Sequence, residues 1–448
     1  MTARVTIEMT GIFAPGFRVA PYWWDAAEPA EREGGLPAET AIAIVGGGYA
    51  GLSAALTLRR LGHDVTVLDA DRIGWGASSR NGGMVSGGIK AASGELEKQM
   101  GKEQAKAVVG AAAASFPFIE ELSAREGIDC DYVRCGRFVP AWTPGHYRAL
   151  EHKVDSIAEN TGLPAWMLPR ARQREELGSD HYYGGLAADA TGSLHPGKYA
   201  RGLTEAAVRA GAALVQRVRV QGIDRSGSGF VLRTDKGQMR AGAVLVATNG
   251  YSRAPGGGGA LPWLARRLVP VASYIISTEP LGRERVKKLF PNARMIADTK
   301  RVLNYFRPSP DGERVLWGGR ASFAPVGTEA DKAAPVLHKA MTGVFPELRG
   351  VKITHAWTGN VAFTLDGLPH IGEQGGIHYA AGCQGSGVAM ASWLGHQAGL
   401  KIAGAANAPF ALDGRHFPTL PFYDGRPWFL PLVGEWLRLR DRIDRAAA

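Results

Sequence analysis

At 448 residues the chain exceeds the size at which one hydrophobic core keeps growing, so more than one domain is expected. Its apolar share of 45% and charged share of 21% are those of a globular protein and exclude a disordered chain. The net charge of +10 is spread among acidic residues, with no basic stripe or reading motif, which speaks against a nucleic-acid partner.

Cys130, Cys135 and Cys383 supply neither a disulfide framework nor paired metal half-sites, so no metal and a reducing cytoplasm are expected. The N-terminus lacks the basic, apolar and small-residue succession of a signal peptide. No run reaches the roughly 18 apolar residues of a spanning helix, so no integral membrane association is expected.

The first predicted element is the β-branched strand Ala41–Val45, which stops at Gly46-Gly47-Gly48-Tyr49-Ala50-Gly51. Gly46 allows the tight turn, Gly48 lets backbone N–H groups approach a diphosphate, and Gly51 lets the next helix pack close to the strand. That helix runs from Leu52 to about Leu61 and presents its positive dipole end, with Tyr49 and Ala50, to the phosphates. A second strand, 64–69, ends in Asp69, followed by Ala70, where a carboxylate accepts hydrogen bonds from ribose hydroxyls. The absence of a basic residue there argues against a 2′-phosphate.

One such unit does not separate FAD from NAD. The loop 74–83 points to an extended, buried cofactor: its backbone is bare, and Ser78, Arg80, Asn81, Gly82 and Gly83 are available to its polar edges. A flexible surface loop is the alternative.

Further along, Gly192–Tyr199 opens a helix carrying Leu203, Ala206 and Ala207. Strand-like Leu214-Val215, Val218 and the strand 243–248 follow, and Ala247-Thr248-Asn249 forms a candidate ligand turn. Leu268–Ile276 and Arg314–Trp317 alternate as sheet strands. Within 304–307, Tyr305 and Arg307 should face away from Phe306. Near the C-terminus another strand, from Ile377, runs into Gly382-Cys383-Gln384-Gly385-Ser386-Gly387-Val388 and a helix, a second dipole end able to stabilise negative charge. In the last helix, Leu432, Trp436, Leu439 and Ile443 share a face. Docking of that stripe on the protein body is favoured over a membrane surface, because Asp441 and Asp444 dilute the basic face.

These segments together resemble the D-amino-acid oxidase superfamily of flavoproteins, which includes glycine oxidase and sarcosine oxidase. Tyr22-Trp23-Trp24 and the run 73–83 are most similar to its γ-glutamylputrescine oxidase-like branch. The resemblance implies an α/β (α+β overall) fold, with a Rossmann-like FAD-binding domain (1–91, 191–250, 351–448). A substrate-binding domain (92–190, 251–350) on a mostly antiparallel sheet roofs the flavin.

The resemblance also places Val218 at adenine through its backbone, Gly385, Ser386, Gly387 and Val388 at the pyrimidine end, and Trp357, Gly359 and Asn360 near the ring. Gly359 stands where a family cysteine attaches flavin, so FAD is expected to be non-covalent. Tyr305 matches a substrate-facing position. Arg307 is either a clamp for an anionic group or a structural arginine. His370, like His195, is either near the flavin or a hydrogen-bonded structural histidine.

The implied activity is FAD-dependent oxidation of an amine or amino acid, by hydride transfer to flavin and hydrolysis of the imine. Molecular oxygen is the expected acceptor. Leu316, however, occupies the position of the sarcosine oxidase lysine that serves reaction with oxygen. A dehydrogenase using a quinone or electron-transfer protein, and a non-catalytic flavin-binding protein, are the alternatives.

Overall fold

The computed structural model describes residues 11–89, 93–254, 257–323, 329–406 and 408–447. The β-branched run forms the strand Glu39–Val45, its last four residues buried, between parallel neighbours Gly237–Val246 and Val65–Leu68. Ala213–Val215 extends the sheet beyond Val65–Leu68, and Ile377–Ala381 pairs in parallel with the end of Gly237–Val246. Because these strands are parallel, their C-terminal turns all open on one edge, where an open α/β sheet binds its ligand. The helix Tyr49–Arg60 buries Leu52, Ala54, Ala55 and Leu58 against this sheet. Each leucine contributes about 1.5–3 kcal/mol by burial.

A second, nine-stranded sheet stands over that edge as a roof. Its centre runs Ile353–Phe363, Val269–Thr278, Val315–Gly319, Asn304–Pro308, with antiparallel neighbours throughout. Side chains alternate. Phe306 and Trp317 stack at 4.0 Å and pack with Leu337 and Met341 of the helix Ala330–Val344. The opposite face carries Ile275, Leu316, Trp357 and Tyr305, gathered around Trp23. Placed by chain order with the nucleotide segments, Ile353–Phe363 instead belongs to the roof, as does the N-terminal strand Phe13–Arg18.

One expectation is reversed. The stripe of the C-terminal helix Leu430–Ala446 faces outward, with Leu432 73% and Trp436 56% exposed. The helix docks instead through Leu430, Gly434 and buried Asp441, whose carboxylate accepts from the backbone N–H groups of Arg301 and Val302, both at 3.0 Å. A polar anchor satisfied on the body therefore decides which face turns in. The run Lys102–Glu126, with mean hydropathy 1.2, is long and apolar enough by composition to cross a membrane. Its Phe116, Phe118, Ile119 and Leu122 are buried in the core beside the nucleotide sheet.

Candidate functional site

The first glycine turn is main chain packed against main chain. Gly46 has φ +109, and a Cβ there would meet the Ala247 carbonyl oxygen at 2.9 Å. A Cβ on Gly51 would stand 1.9 Å from the Gly46 oxygen, so a side chain at that position would separate helix from strand. At the helix start, Leu52 N–H is the first to reach back within the turn, to Gly48 O at 2.9 Å. The preceding N–H groups have no intrahelical acceptor. Of these, Tyr49 N–H donates to Ser78 Oγ at 3.0 Å, leaving Gly48, Ala50 and Gly51 as the anion-facing set.

Asp69 stands beside this turn and accepts from Gly47 N–H at 2.7 Å and Asp71 N–H at 2.9 Å. Burial outweighs both bonds and pushes its carboxyl up to about 6. Each carboxylate oxygen has one donor and can accept more, which ribose hydroxyls would supply. Ala70 follows it at the surface. Val218 is buried and its N–H donates to Asp69 O at 2.9 Å.

The loop 74–83 is held from within and above. Asn81 Nδ2 donates to Ala77 O and Ser78 O, and its Oδ1 accepts from Gly83 N–H at 2.8 Å. Trp23 Nε1 donates to Asn81 O and Trp357 Nε1 to Arg80 O, at 2.8 and 2.7 Å. The Arg80 guanidinium lies between Trp24 and Trp75, 4.6 and 4.1 Å from their rings, and burial lowers its pKa. Gly82 and Gly83 pass directly beneath the roof. A Cβ on Gly82 would meet Tyr305 at 3.1 Å, and one on Gly83 would meet the Leu194 oxygen at 2.2 Å.

The second glycine turn stands on the same edge. Gly382, Gln384 and Gly385 have φ of +81, +55 and +90, leading into the helix Gly387–Ile402 capped by Ser386 without a side-chain bond. Asn249, itself at φ +44, ties the Ala247-Thr248-Asn249 turn to it: Oδ1 accepts from Gly382 N–H at 3.0 Å, and Nδ2 approaches Cys383 Sγ at 3.2 Å. Val388 is buried in the first turn of the helix. The two helices that leave the glycine turns touch, since a Cβ on Gly395 would stand 2.0 Å from the Ala50 oxygen. Two bare helix starts on one edge, a carboxylate able to accept further donors and a roof above fit FAD.

On the roof, Tyr305 Oη and Ser273 Oγ share a hydrogen bond at 2.9 Å, and burial raises the phenol to about 12. Gly318 opposite has no room for a Cβ beside the Tyr305 ring. A Cβ on Gly359 would lie 3.4 Å from Arg80 Cβ, while Asn360 N–H donates to Tyr251 Oη at 3.3 Å.

Arg307 faces the cofactor side with its Nη1 and Nε bound to main-chain oxygens. Its Nη1 donates to Leu194 O at 2.8 Å and Gly83 O at 3.2 Å, and its Nε to Pro308 O at 3.0 Å. Burial lowers its pKa only to about 10, so it stays charged while stapling the loop to the roof.

His370 pairs with Ala381, next to the second glycine turn, and its side chain is held by its own neighbours. Its ring stacks on Phe417 at 3.8 Å and its Nε2 meets the Asp366 carboxylate at 3.1 Å. Burial raises the Asp366 carboxyl, but the bond to His370 holds it below its usual range. His195 caps the helix Pro196–Arg209 by accepting from Lys198 N–H, and burial pushes it down to about 4.

Residue-by-residue reading missed the central place of Trp23, whose only signal was its aromatic triplet. It also missed Ser273 and Tyr251, which carry no local signal.

The profile of the FAD dependent oxidoreductase family DAO matches residues 41–399. The chain is 32% identical to a probable oxidoreductase OrdL of Rhizobium meliloti, over 90% of this chain and 92% of that one. It is also 32% identical to the gamma-glutamylputrescine oxidoreductase of Escherichia coli, over 90% and 93%. Glycine oxidase from Geobacillus kaustophilus superposes with a TM-score of 0.67 at 22% identity, covering 85% of this chain and 100% of that one.

Proposed function

The chain belongs to the DAO family of FAD-dependent oxidoreductases, and on that basis we propose that it oxidises the C–N bond of an amine or amino acid. The observation that carries this reading is the convergence of both glycine helix starts on one sheet edge beneath a roof face bearing Tyr305. Gly48, Ala50 and Gly51 would hold the diphosphate, Asp69 the ribose, and Gly385 to Val388 the far end. When bound non-covalently, FAD supplies the hydride acceptor and passes electrons to molecular oxygen or, in the dehydrogenase alternative, to a quinone or electron-transfer protein.

The protein's own groups position the substrate and exclude water. Trp23, Ile275, Leu316 and Trp357 form a dry wall beside Tyr305. Tyr305 stays protonated through the neutral range, and His195 is spent as a cap. The amine therefore binds deprotonated, and its loss of hydride leaves an iminium ion that water hydrolyses to an aldehyde or keto acid plus ammonium or a smaller, protonated amine. Leu316 puts a buried hydrocarbon beside Tyr305, which favours the dehydrogenase alternative.

The test is anaerobic mixing of the yellow protein with a panel of amines and amino acids, followed by air. Bleaching is expected with at least one compound and should grow with pH through that amine's own pKa. Fast recovery in air marks an oxidase and slow recovery a dehydrogenase. No bleaching by any amine sinks the reading and leaves a flavin-binding protein.

A further inference from the structure

The C-terminal helix Leu430–Ala446 leaves its apolar stripe uncovered. At about 100° per residue, Leu432, Trp436, Leu439 and Ile443 fall within one narrow arc, opposite the docked Leu430, Gly434 and Asp441. The segment leading into the helix exposes two more large aromatic residues, Phe422 at 99% and Trp428 at 64%. Phe422 also holds φ +57, a left-handed backbone that disfavours a bulky side chain. An apolar surface of this extent, rimmed by polar groups, marks an interaction site.

The rim is basic, because the structure commits the acids elsewhere. Asp441 is buried on the backbone of Arg301 and Val302, Asp444 pairs with Arg301, Glu435 with Arg438, and Asp424 with Arg253. Arg440 and Arg442 stand about 80° to either side of the stripe and are exposed. Among the described residues neither makes an ion pair, and Arg440 lies 5.7 Å from the Trp436 ring. Behind Arg442 a cavity of about 500 Å³ adds the positive charge of Lys300 and Arg445, and Asp441 is its one carboxylate among the described residues.

An apolar arc edged by arginines on both shoulders is complementary to an anionic bilayer surface: hydrocarbon enters the acyl boundary while guanidinium groups stay with the phosphates. A second copy of the chain, pairing through the same patch, would set arginine against arginine with no free carboxylate of the helix to answer them.

We propose that the C-terminal helix seats the protein peripherally on an anionic lipid surface, with Leu432, Trp436, Leu439 and Ile443 in the acyl boundary and Arg440 and Arg442 on lipid phosphates. This attachment is independent of what the flavin oxidises.

The experiment sediments the FAD-loaded protein with vesicles of phosphatidylcholine containing about 30% phosphatidylglycerol, and with vesicles of phosphatidylcholine alone. The wild type should bind the anionic vesicles at least about 10-fold more tightly, and lose about 10-fold when salt rises from about 0.1 M to about 0.5 M. Leu432→Ser combined with Trp436→Ser should weaken binding by about 100-fold. Arg440→Gln combined with Arg442→Gln should weaken it by about 20-fold. Leu61→Ser, which removes an exposed leucine outside the patch, should change it by less than about 2-fold. Flavin content should match the wild type throughout, because none of these residues belongs to the nucleotide edge or the roof.

A wild type left in the supernatant with anionic vesicles overturns the proposal, as does equal binding to both kinds of vesicle. Unchanged binding by the arginine pair overturns it too. Light scattering without lipid tests the other occupant: a dimer split by Leu432→Ser with Trp436→Ser assigns the stripe to a second copy and overturns the proposal, and a wild-type monomer supports it.

Discussion

At the nucleotide edge the surface offered to the ligand is main chain, whereas on the roof it is side chains drawn from several strands. At the edge, glycines bring carbonyls and N–H groups so close that a Cβ at Gly51 would stand 1.9 Å from the Gly46 oxygen. On the roof, Tyr305 and Ser273 act through one shared hydrogen bond, and Arg307 through a few bonds to main-chain oxygens. The contrast implies that the edge is all-or-none and controls whether cofactor is held, while the roof is graded and controls what happens to substrate.

The sharpest way to break this contrast is Gly51→Val. It should cost more than about 4 kcal/mol of stability, by prying helix from strand, and weaken FAD by more than about 100-fold. Denaturant unfolding and flavin content after gel filtration check it. A yellow, stable Gly51→Val protein would remove the distinction.

Next is Arg307→Met. Leaving the Leu194 carbonyl without its donor, and the Gly83 carbonyl with Leu194 N–H alone, should cost about 1–3 kcal/mol in denaturant unfolding. FAD affinity should change by less than about 3-fold. Equal losses in stability and FAD binding would show that edge and roof are one unit.

Asp69 tests the edge through pH. Its folded carboxyl is raised to about 6, above the unfolded value, so the folded state binds the extra proton. The penalty is absent below the unfolded pKa and grows as pH rises through about 4 to 6. Flavin-free Asp69→Asn should therefore gain on the wild type across that window, by about 1–2 kcal/mol once solvent at the carboxylate's edge is allowed for. With FAD bound the advantage should vanish, because ribose hydroxyls donate to the ionised carboxylate. A pH-independent difference between the two melts would contradict this account.

The smallest effect is expected for Tyr305→Phe, which removes one hydroxyl bonded to Ser273. Stability should fall by about 1 kcal/mol and FAD should be retained, while flavin reduction by the best amine slows by about 10-fold. Stopped-flow bleaching measures it.

Much of the nucleotide edge was legible because its requirements are local. A β-branched strand, glycines at Gly46, Gly48 and Gly51, a helix, and Asp69 on the next strand each follow from what a few adjacent residues can sterically do. Strand alternation also placed Tyr305 and Arg307 on the face opposite Phe306, as the structure has them. The fate of those side chains was not legible. Arg307 is taken up by Leu194, more than a hundred residues earlier in the chain. His370 is taken up by Phe417 and Asp366, and the C-terminal helix is turned stripe-outward by Asp441 binding the 301–302 backbone.

By itself, then, the amino-acid order determined the dinucleotide turn, the second helix start and the alternation of the roof, since steric limits and side-chain period act over a few neighbouring residues. Only the tertiary structure decided what the roof arginine binds. Arg307 is one cation among many as a letter, and its Nη1 is held by carbonyls of Gly83 and Leu194 that lie more than a hundred residues away in the chain.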